Sequence, residues 1–166
     1  MKTSLLLFIL VLAFGCEDLS TDQAPTESWA IYRLRDESIT VYDASRQPLG
    51  TLVLADEAFM TVTDISAYHW SSHTFVPSPR IENQLAAMRD SHGSLSGIPF
   101  VVKVGYDRIY MGAFWYAYSS LAPTFPHIDL ISHPHQIQPS WKSGDPDLRD
   151  DIKIYNALRR AGVLIE

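Results

Sequence analysis

Three histidines near the end of the chain are the residues best suited to hold a metal ion. His133 and His135 lie two positions apart, so both imidazole rings face the same side if that segment is extended. His127 supplies a third nitrogen, and three protein ligands are enough for a zinc site that also holds water. Pro134 favours instead an exposed polar loop. Two interpretations follow: a small metal-binding protein or hydrolase using these histidines, or a loop without metal.

The remaining histidines and serines carry no catalytic signature. His69 and His73 are four positions apart, but the aromatic and β-branched residues around them favour a strand, and no His-Glu-x-x-His motif is present. The segment 93–97 (GSLSG) has leucine where a serine hydrolase elbow needs its nucleophile. We therefore expect no catalytic residue, and no phosphate loop or dinucleotide motif indicates a cofactor.

A run of aromatic residues followed by two serines is the best candidate for a binding surface. Trp115, Tyr116 and Tyr118 precede Ser119 and Ser120. Tryptophan and tyrosine combine a large apolar area with a polar group, which suits contact with a partner. The alternative is that the rings fill the core, and the sequence does not decide between the two.

Composition and charge exclude several classes of protein. The chain has 166 residues, of which 46% are hydrophobic and 19% charged, as expected for one globular domain. Its 13 basic and 19 acidic residues give a net charge of −6, which argues against a nucleic-acid partner. A single cysteine excludes an internal disulfide and any zinc site built from cysteines.

That single cysteine lies at the end of a targeting signal. Residues 1–15 combine Lys2 with an apolar run too short to span a bilayer, and Cys16 follows directly. This segment resembles a bacterial lipoprotein signal, which implies that Cys16 carries lipid such as palmitate and anchors the protein outside the cytoplasm. The alternative is an ordinary secretory peptide. Residues 16–27 are polar and acidic, as in a tether, and 28–166 form the folded domain.

The folded part combines strands with two helices. Ser78 and Pro79 begin one helix, with an apolar stripe at Ile81, Leu85 and Met88. A second helix is predicted to begin with Asp145 as cap and Pro146 as first residue, and to end at Gly162. Its stripe is Leu148, Ile152, Tyr155 and Leu158. Strands are predicted at 29–34, 39–42, 51–54, 58–63, 73–76 and 128–131, with a hairpin of 100–104 and 108–114.

Two resemblances accompany this pattern. The segment 98–115 (IPFVVKVGYDRIYMGAFW), with 63–68 (TDISAY) and 144–146 (GDP), resembles small bacterial lipoproteins of unassigned function. The order of elements over 62–131 resembles the periplasmic head domain of the SecD protein-export subunit, which implies a ferredoxin-like, non-catalytic binding module. We expect an α+β fold with an antiparallel sheet and two helices on one face. We expect a lipid-anchored domain with a binding or adaptor role at the cell envelope.

Overall fold

A computed structural model describes residues 28–91, 96–142, 144 and 146–166. The predicted signal, Cys16, the tether through residue 27 and the helix cap at Asp145 lie outside these residues. Within the described part of the chain, no helix has the length and apolar character needed to cross a membrane.

A long hairpin forms the centre of the fold, as the sequence predicts. Two apolar strands, Ile98–Val104 and Asp107–Trp115, pair antiparallel across a turn in which Gly105 has φ +58°. Glycine adopts this left-handed conformation without steric cost. The described residues contain nine strands, numbered here in chain order: β1 Trp29–Arg33, β2 Met60–Thr61, β3 Ile65–His69, β4 Thr74–Pro77, β5 Ile98–Val104, β6 Asp107–Trp115, β7 His127–Asp129, β8 Ile137–Gln138 and β9 Leu164–Ile165.

The strands form two sheets of mixed direction. The larger sheet has the order β2-β1-β5-β6-β7-β8, and the smaller has the order β4-β3-β9. The pairs β6–β7 and β3–β9 are parallel, so the prediction of an antiparallel sheet was wrong in these two places. The α+β class is confirmed, whereas the strand order does not confirm a ferredoxin-like arrangement. Two backbone hydrogen bonds, from the Phe75 N–H to the His135 carbonyl and from the Ile137 N–H to the His73 carbonyl, link the start of β4 to the start of β8.

One helix lies where the sequence predicts it. Helix α2 spans Pro79–Asp90, and the side chain of Ser78 accepts a hydrogen bond from the Ile81 N–H. Ile81 and Leu85 are buried, as the apolar stripe requires. They join the core cluster that includes the buried residues of helix α3, Ile152–Arg160.

The predicted start of the last helix was wrong. Asp151 has an extended backbone and its side chain accepts a hydrogen bond from the Lys153 N–H, so α3 begins at Ile152. Residues 148–150 form a separate 3-10 turn capped by the Asp147 carboxylate. Leu148 and Ile152, assigned to the apolar stripe, are therefore exposed, and the buried positions are Ile154, Ala157 and Leu158.

Two of the predicted strands are not strands. Residues 39–42 enter a short helix, α1 Val41–Ser45, because the Thr40 hydroxyl accepts the Asp43 N–H at 3.1 Å. Residues 51–54 contribute only an isolated bridge between Leu34 and Leu54. Both segments lie over the second face of the larger sheet, where the buried side chains of Val41 and Leu52 pack.

The larger sheet therefore has two covered faces. Alternate residues of β6 show this: Tyr110 and Phe114 pack toward α2 and α3, whereas Ala113 and Trp115 pack toward α1. In the parallel pairing of β6 with β7, Trp115 lies opposite Asp129 and Ala113 opposite His127. His127 and Asp129 consequently share the second face with Trp115.

Candidate functional site

A small pocket lies at the end of this second face. Its volume is about 100 Å³, and Trp115, His127 and Asp129 contribute to its lining. Ser119, Leu121 and Trp141 complete it from two loops, which are joined by a hydrogen bond from the Trp141 N–H to the Pro123 carbonyl. We call this site the aromatic pocket.

Large apolar side chains are exposed around the aromatic pocket. Trp141 is 67% exposed and Leu121 is 43% exposed. Tyr118 is also exposed, but it does not line the pocket, and its ring packs on that of Tyr116 with centroids 5.3 Å apart. Single exposed apolar residues are ordinary, but two that line one preformed cavity from adjoining loops are typical of a surface that contacts another molecule.

The five residues predicted to bind a partner divide into core and surface. Trp115 is only 3% exposed and packs edge-on to Phe125, while Tyr116 is fully buried on the other face and donates its hydroxyl proton to the Met88 carbonyl. The structure thus places both rings among the packing residues, although Trp115 also reaches the pocket lining. Tyr118 and Ser120 are exposed and Ser119 lines the pocket. The sequence singled out neither Leu121 nor Trp141.

The floor of the aromatic pocket is polar. The Asp129 carboxylate accepts hydrogen bonds from the Ile131 N–H and the Ser132 hydroxyl. Burial lowers the pKa of His127 more than the neighbouring Phe125 carbonyl, Asp129 and Gln138 raise it. A neutral imidazole and a carboxylate therefore lie beside two tryptophan rings, and this combination suits a ligand group with an apolar stem and a donor tip.

A second cleft contains His73, at the turn between β3 and β4. His73 has φ +52°, a conformation uncommon for a residue with a side chain and found disproportionately at functional sites. Its Nδ1 lies 3.0 Å from the Tyr68 hydroxyl and its Nε2 lies 3.3 Å from an Asp150 oxygen. The cleft measures about 500 Å³ and is also lined by Arg149 and Asp147.

The hydrogen bonds of His73 define its tautomer. Burial raises the pKa of Tyr68 well above its usual value, so the hydroxyl keeps its proton and donates it to Nδ1. The ring proton then lies on Nε2 and faces Asp150. Since both nitrogens are engaged, His73 cannot accept a proton from a substrate without losing a hydrogen bond, which disfavours a general-base role.

Arg149 organises the same cleft from inside the protein. The guanidinium is buried, donates to the Ile137 carbonyl at 2.7 Å and pairs with the Asp147 carboxylate. The hydrogen bonds from Arg149 lower the pKa of Asp147 despite its partial burial. The Asp147 carboxylate thus already has a cationic partner. No spacing in the sequence indicated that Asp147 and Asp150 would meet His73.

Two of the buried histidines, His73 and His127, predict acid sensitivity. Burial, with help from Arg149 at His73, lowers the pKa of both His73 and His127. The unfolded chain binds protons at these rings below about pH 6.5, whereas the folded chain resists them. The stability that the neutral rings provide is therefore present above that pH and is lost as the pH falls below it. The slope is at most about 1.4 kcal/mol per pH unit for each histidine.

Urea unfolding between about pH 7.5 and about pH 5.5 measures this effect. His73→Asn and His127→Gln should each reduce the slope, and asparagine suits the left-handed backbone at residue 73. The comparison variant is His69→Gln, which removes a histidine that is less buried than His73 and His127. Wild-type stability that stays constant or rises on acidification would contradict the prediction.

The histidines near the end of the chain do not all meet. The rings of His133 and His135 are 4.7 Å apart, as their spacing suggests, and Glu82 of α2 lies beside them. His135 stacks on Phe75 and therefore lies on the face of the sheet that the helices cover. His127 pairs with Gln138, and both side chains point to the opposite face. The predicted three-histidine set was therefore wrong in its third member.

Comparisons with known proteins give no family for this chain. No family model matches it, and neither does any curated protein or solved structure.

Proposed function

We propose that this chain is a lipid-anchored domain on the extracytoplasmic side that binds a protein of the bacterial envelope, without catalysis, through the aromatic pocket. The observation that carries the proposal is the exposure of Trp141 and Leu121 in the lining of a preformed cavity. Central aromatic anchors contribute most of the binding energy in many protein interfaces.

The size of the aromatic pocket favours a protein partner over a small ligand. Its volume of about 100 Å³ is below the range of about 300–1,000 Å³ found for sites that enclose a whole small molecule. A cavity of this size accommodates one side chain. The exposed Trp141 and Leu121 side chains would then cover the neighbouring surface of the partner and exclude water.

The chemistry of the pocket floor favours a long basic side chain. Trp115 and Trp141 can contact the aliphatic stem and the Asp129 carboxylate can accept from the charged tip. His127 is uncharged near neutral pH because burial lowers its pKa, so it does not repel a cation. The net charge of −6 also favours a basic partner through long-range attraction.

Crosslinking in cells tests the proposal with the tagged full-length chain at its native level. One dominant partner should be captured, and Trp141→Ala should reduce capture by at least about 30-fold, as expected for loss of an interface anchor. Tyr106→Ala is the matched control, because Tyr106 is an exposed aromatic residue in the β5–β6 turn, at the opposite end of that hairpin from Trp115. Cys16→Ser should release the protein from the membrane fraction.

Two results would contradict the proposal. Equal capture by wild type, Trp141→Ala and Tyr106→Ala would show that the aromatic pocket is not the interface. Retention of the Cys16→Ser variant in the membrane fraction would show that Cys16 does not carry the lipid anchor. Capture that weakens as salt is raised supports the basic partner, because salt screens charges beyond about 10 Å at 0.1 M.

A further inference from the structure

We propose that Glu82, His133 and His135 form a binding site for one Zn²⁺ ion. Each residue offers one ligand atom, and these atoms lie within 4.8 Å of one another. The site is on the helix side of the larger sheet, away from the aromatic pocket, and does not depend on the function proposed above.

The ligand set matches the chemistry of zinc. Two imidazole nitrogens and one carboxylate are a known zinc combination, with a fourth position left for water. Zinc holds such atoms at about 2.0–2.2 Å, so neighbouring ligand atoms come to about 3.4 Å from one another. His135 Nε2 and Glu82 Oε2 are already 2.8 Å apart, and a bound ion would separate them slightly.

The three side chains differ in exposure in a way that favours binding. His135 is 5% exposed and its ring stacks on Phe75 with an interplanar angle of 23°, so its orientation is held by packing. Glu82 and His133 are more exposed and can move by the fraction of an ångström that coordination needs. One fixed ligand and two adjustable ones lower the cost of assembling the site.

Zinc binding changes the tautomer of His135. Coordination through Nε2 moves the ring proton to Nδ1. Among the described residues, the buried Nδ1 has no hydrogen-bond partner, so the transfer breaks no bond there but leaves a buried N–H without an acceptor, a cost that the bonds to the ion must exceed. The hydrogen bond between Nε2 and Glu82 is exchanged for two bonds to the ion.

The His73 cluster is the weaker candidate for the same ion. Ligand atoms of His73, Asp147 and Asp150 also lie within 4.8 Å of one another. However, the Asp147 carboxylate is already paired with the buried Arg149 guanidinium, whose positive charge repels a cation. The described contact of the Glu82 carboxylate is with His135. Zinc is therefore assigned to the Glu82 site.

Titration calorimetry of the full-length chain, purified in detergent and stripped with a chelator, tests the site with Zn²⁺ alone. We expect about one equivalent bound with a dissociation constant of about 1 µM or tighter. His133→Ala and Glu82→Gln should each weaken binding by at least about 100-fold, since even outer residues of metal sites contribute 10–100-fold. Both changes are at side chains that are not buried, so folding is retained.

Matched controls separate this site from other ligands on the surface. His69→Ala removes a histidine outside both clusters, Glu57→Gln removes an exposed carboxylate, and both should bind Zn²⁺ like wild type. X-ray absorption at the zinc edge should show two imidazole ligands at about 2.0–2.1 Å in wild type and one in His133→Ala.

Three outcomes would overturn the proposal. Binding of less than about a tenth of an equivalent of Zn²⁺ would show that the protein has no zinc site. Unchanged affinity in both His133→Ala and Glu82→Gln shows that the ion binds elsewhere. Loss of binding in Asp147→Asn, with His133→Ala unaffected, assigns the ion to the His73 cluster.

Discussion

Trp115→Ala is expected to lower the free energy of unfolding by about 3–5 kcal/mol, the cost of truncating a large aromatic residue in a core. Trp115 is 3% exposed, packs edge-on to Phe125 with ring centroids 5.7 Å apart, and lies directly against Gly97. Removing the indole leaves a cavity that the surrounding sheet cannot fill. Urea unfolding of the full-length chain measures the loss.

Trp141→Ala is the control for this experiment. Trp141 lines the same pocket but is 67% exposed, so its removal should change stability by less than about 0.5 kcal/mol. The two variants distinguish a packing role from a binding role. Trp115→Ala should destabilise the fold, whereas Trp141→Ala should reduce only partner capture. Equal stability of the two variants would show that Trp115 is not a core residue. Capture data for Trp115→Ala have meaning only where the variant remains folded.

Gly112→Ala is expected to destabilise the protein by about 3 kcal/mol, at the upper end of the range for overpacking. A Cβ atom at residue 112 would lie 2.5 Å from the Phe100 ring and 2.6 Å from the Pro126 carbonyl oxygen. The Phe100 ring is fully buried and the Pro126 carbonyl accepts a hydrogen bond from Ala113, so neither has room to move. Thermal or urea unfolding checks this value.

Gly50→Ala is the matched control for Gly112→Ala. A Cβ atom at residue 50 meets nothing within 4 Å, so this variant should be as stable as wild type or slightly more stable. The clash at Gly112 also displaces the chain that leads into β7, and therefore the floor of the aromatic pocket. A folded Gly112→Ala variant should capture less partner than Gly50→Ala. Equal stability of the two variants would contradict the steric argument.

Local signals in the sequence were sufficient where neighbouring residues decide the structure. The β5–β6 hairpin was predicted from two β-branched runs around Gly105, and α2 from Ser78, Pro79 and an apolar stripe. The errors have local causes that pattern alone did not reveal. The Thr40 side chain caps α1 in a segment predicted as strand, and Asp151 rather than Asp145 caps α3.

The sites depend on contacts between residues far apart in the chain. The two-residue spacing correctly predicted that the rings of His133 and His135 lie close together. Glu82 is separated from His135 by 53 positions, and no sequence pattern indicated that the two residues meet. The exclusion of His127 follows from strand register, which places it opposite Gln138 and on the other face from His135. Register is set by pairing and could not be derived from one strand's composition.

The sequence by itself determined the α+β class, the central hairpin, α2 and the acidic charge that disfavours nucleic acid, because these depend on composition and on residues within a few positions of one another. Its prediction of a lipid anchor at Cys16 remains to be tested. Only the tertiary structure decided that Trp115 and Tyr116 pack inside while Tyr118 and Trp141 face solvent. The physical reason is that burial depends on which face of a sheet is covered, and distant segments of the chain provide that cover.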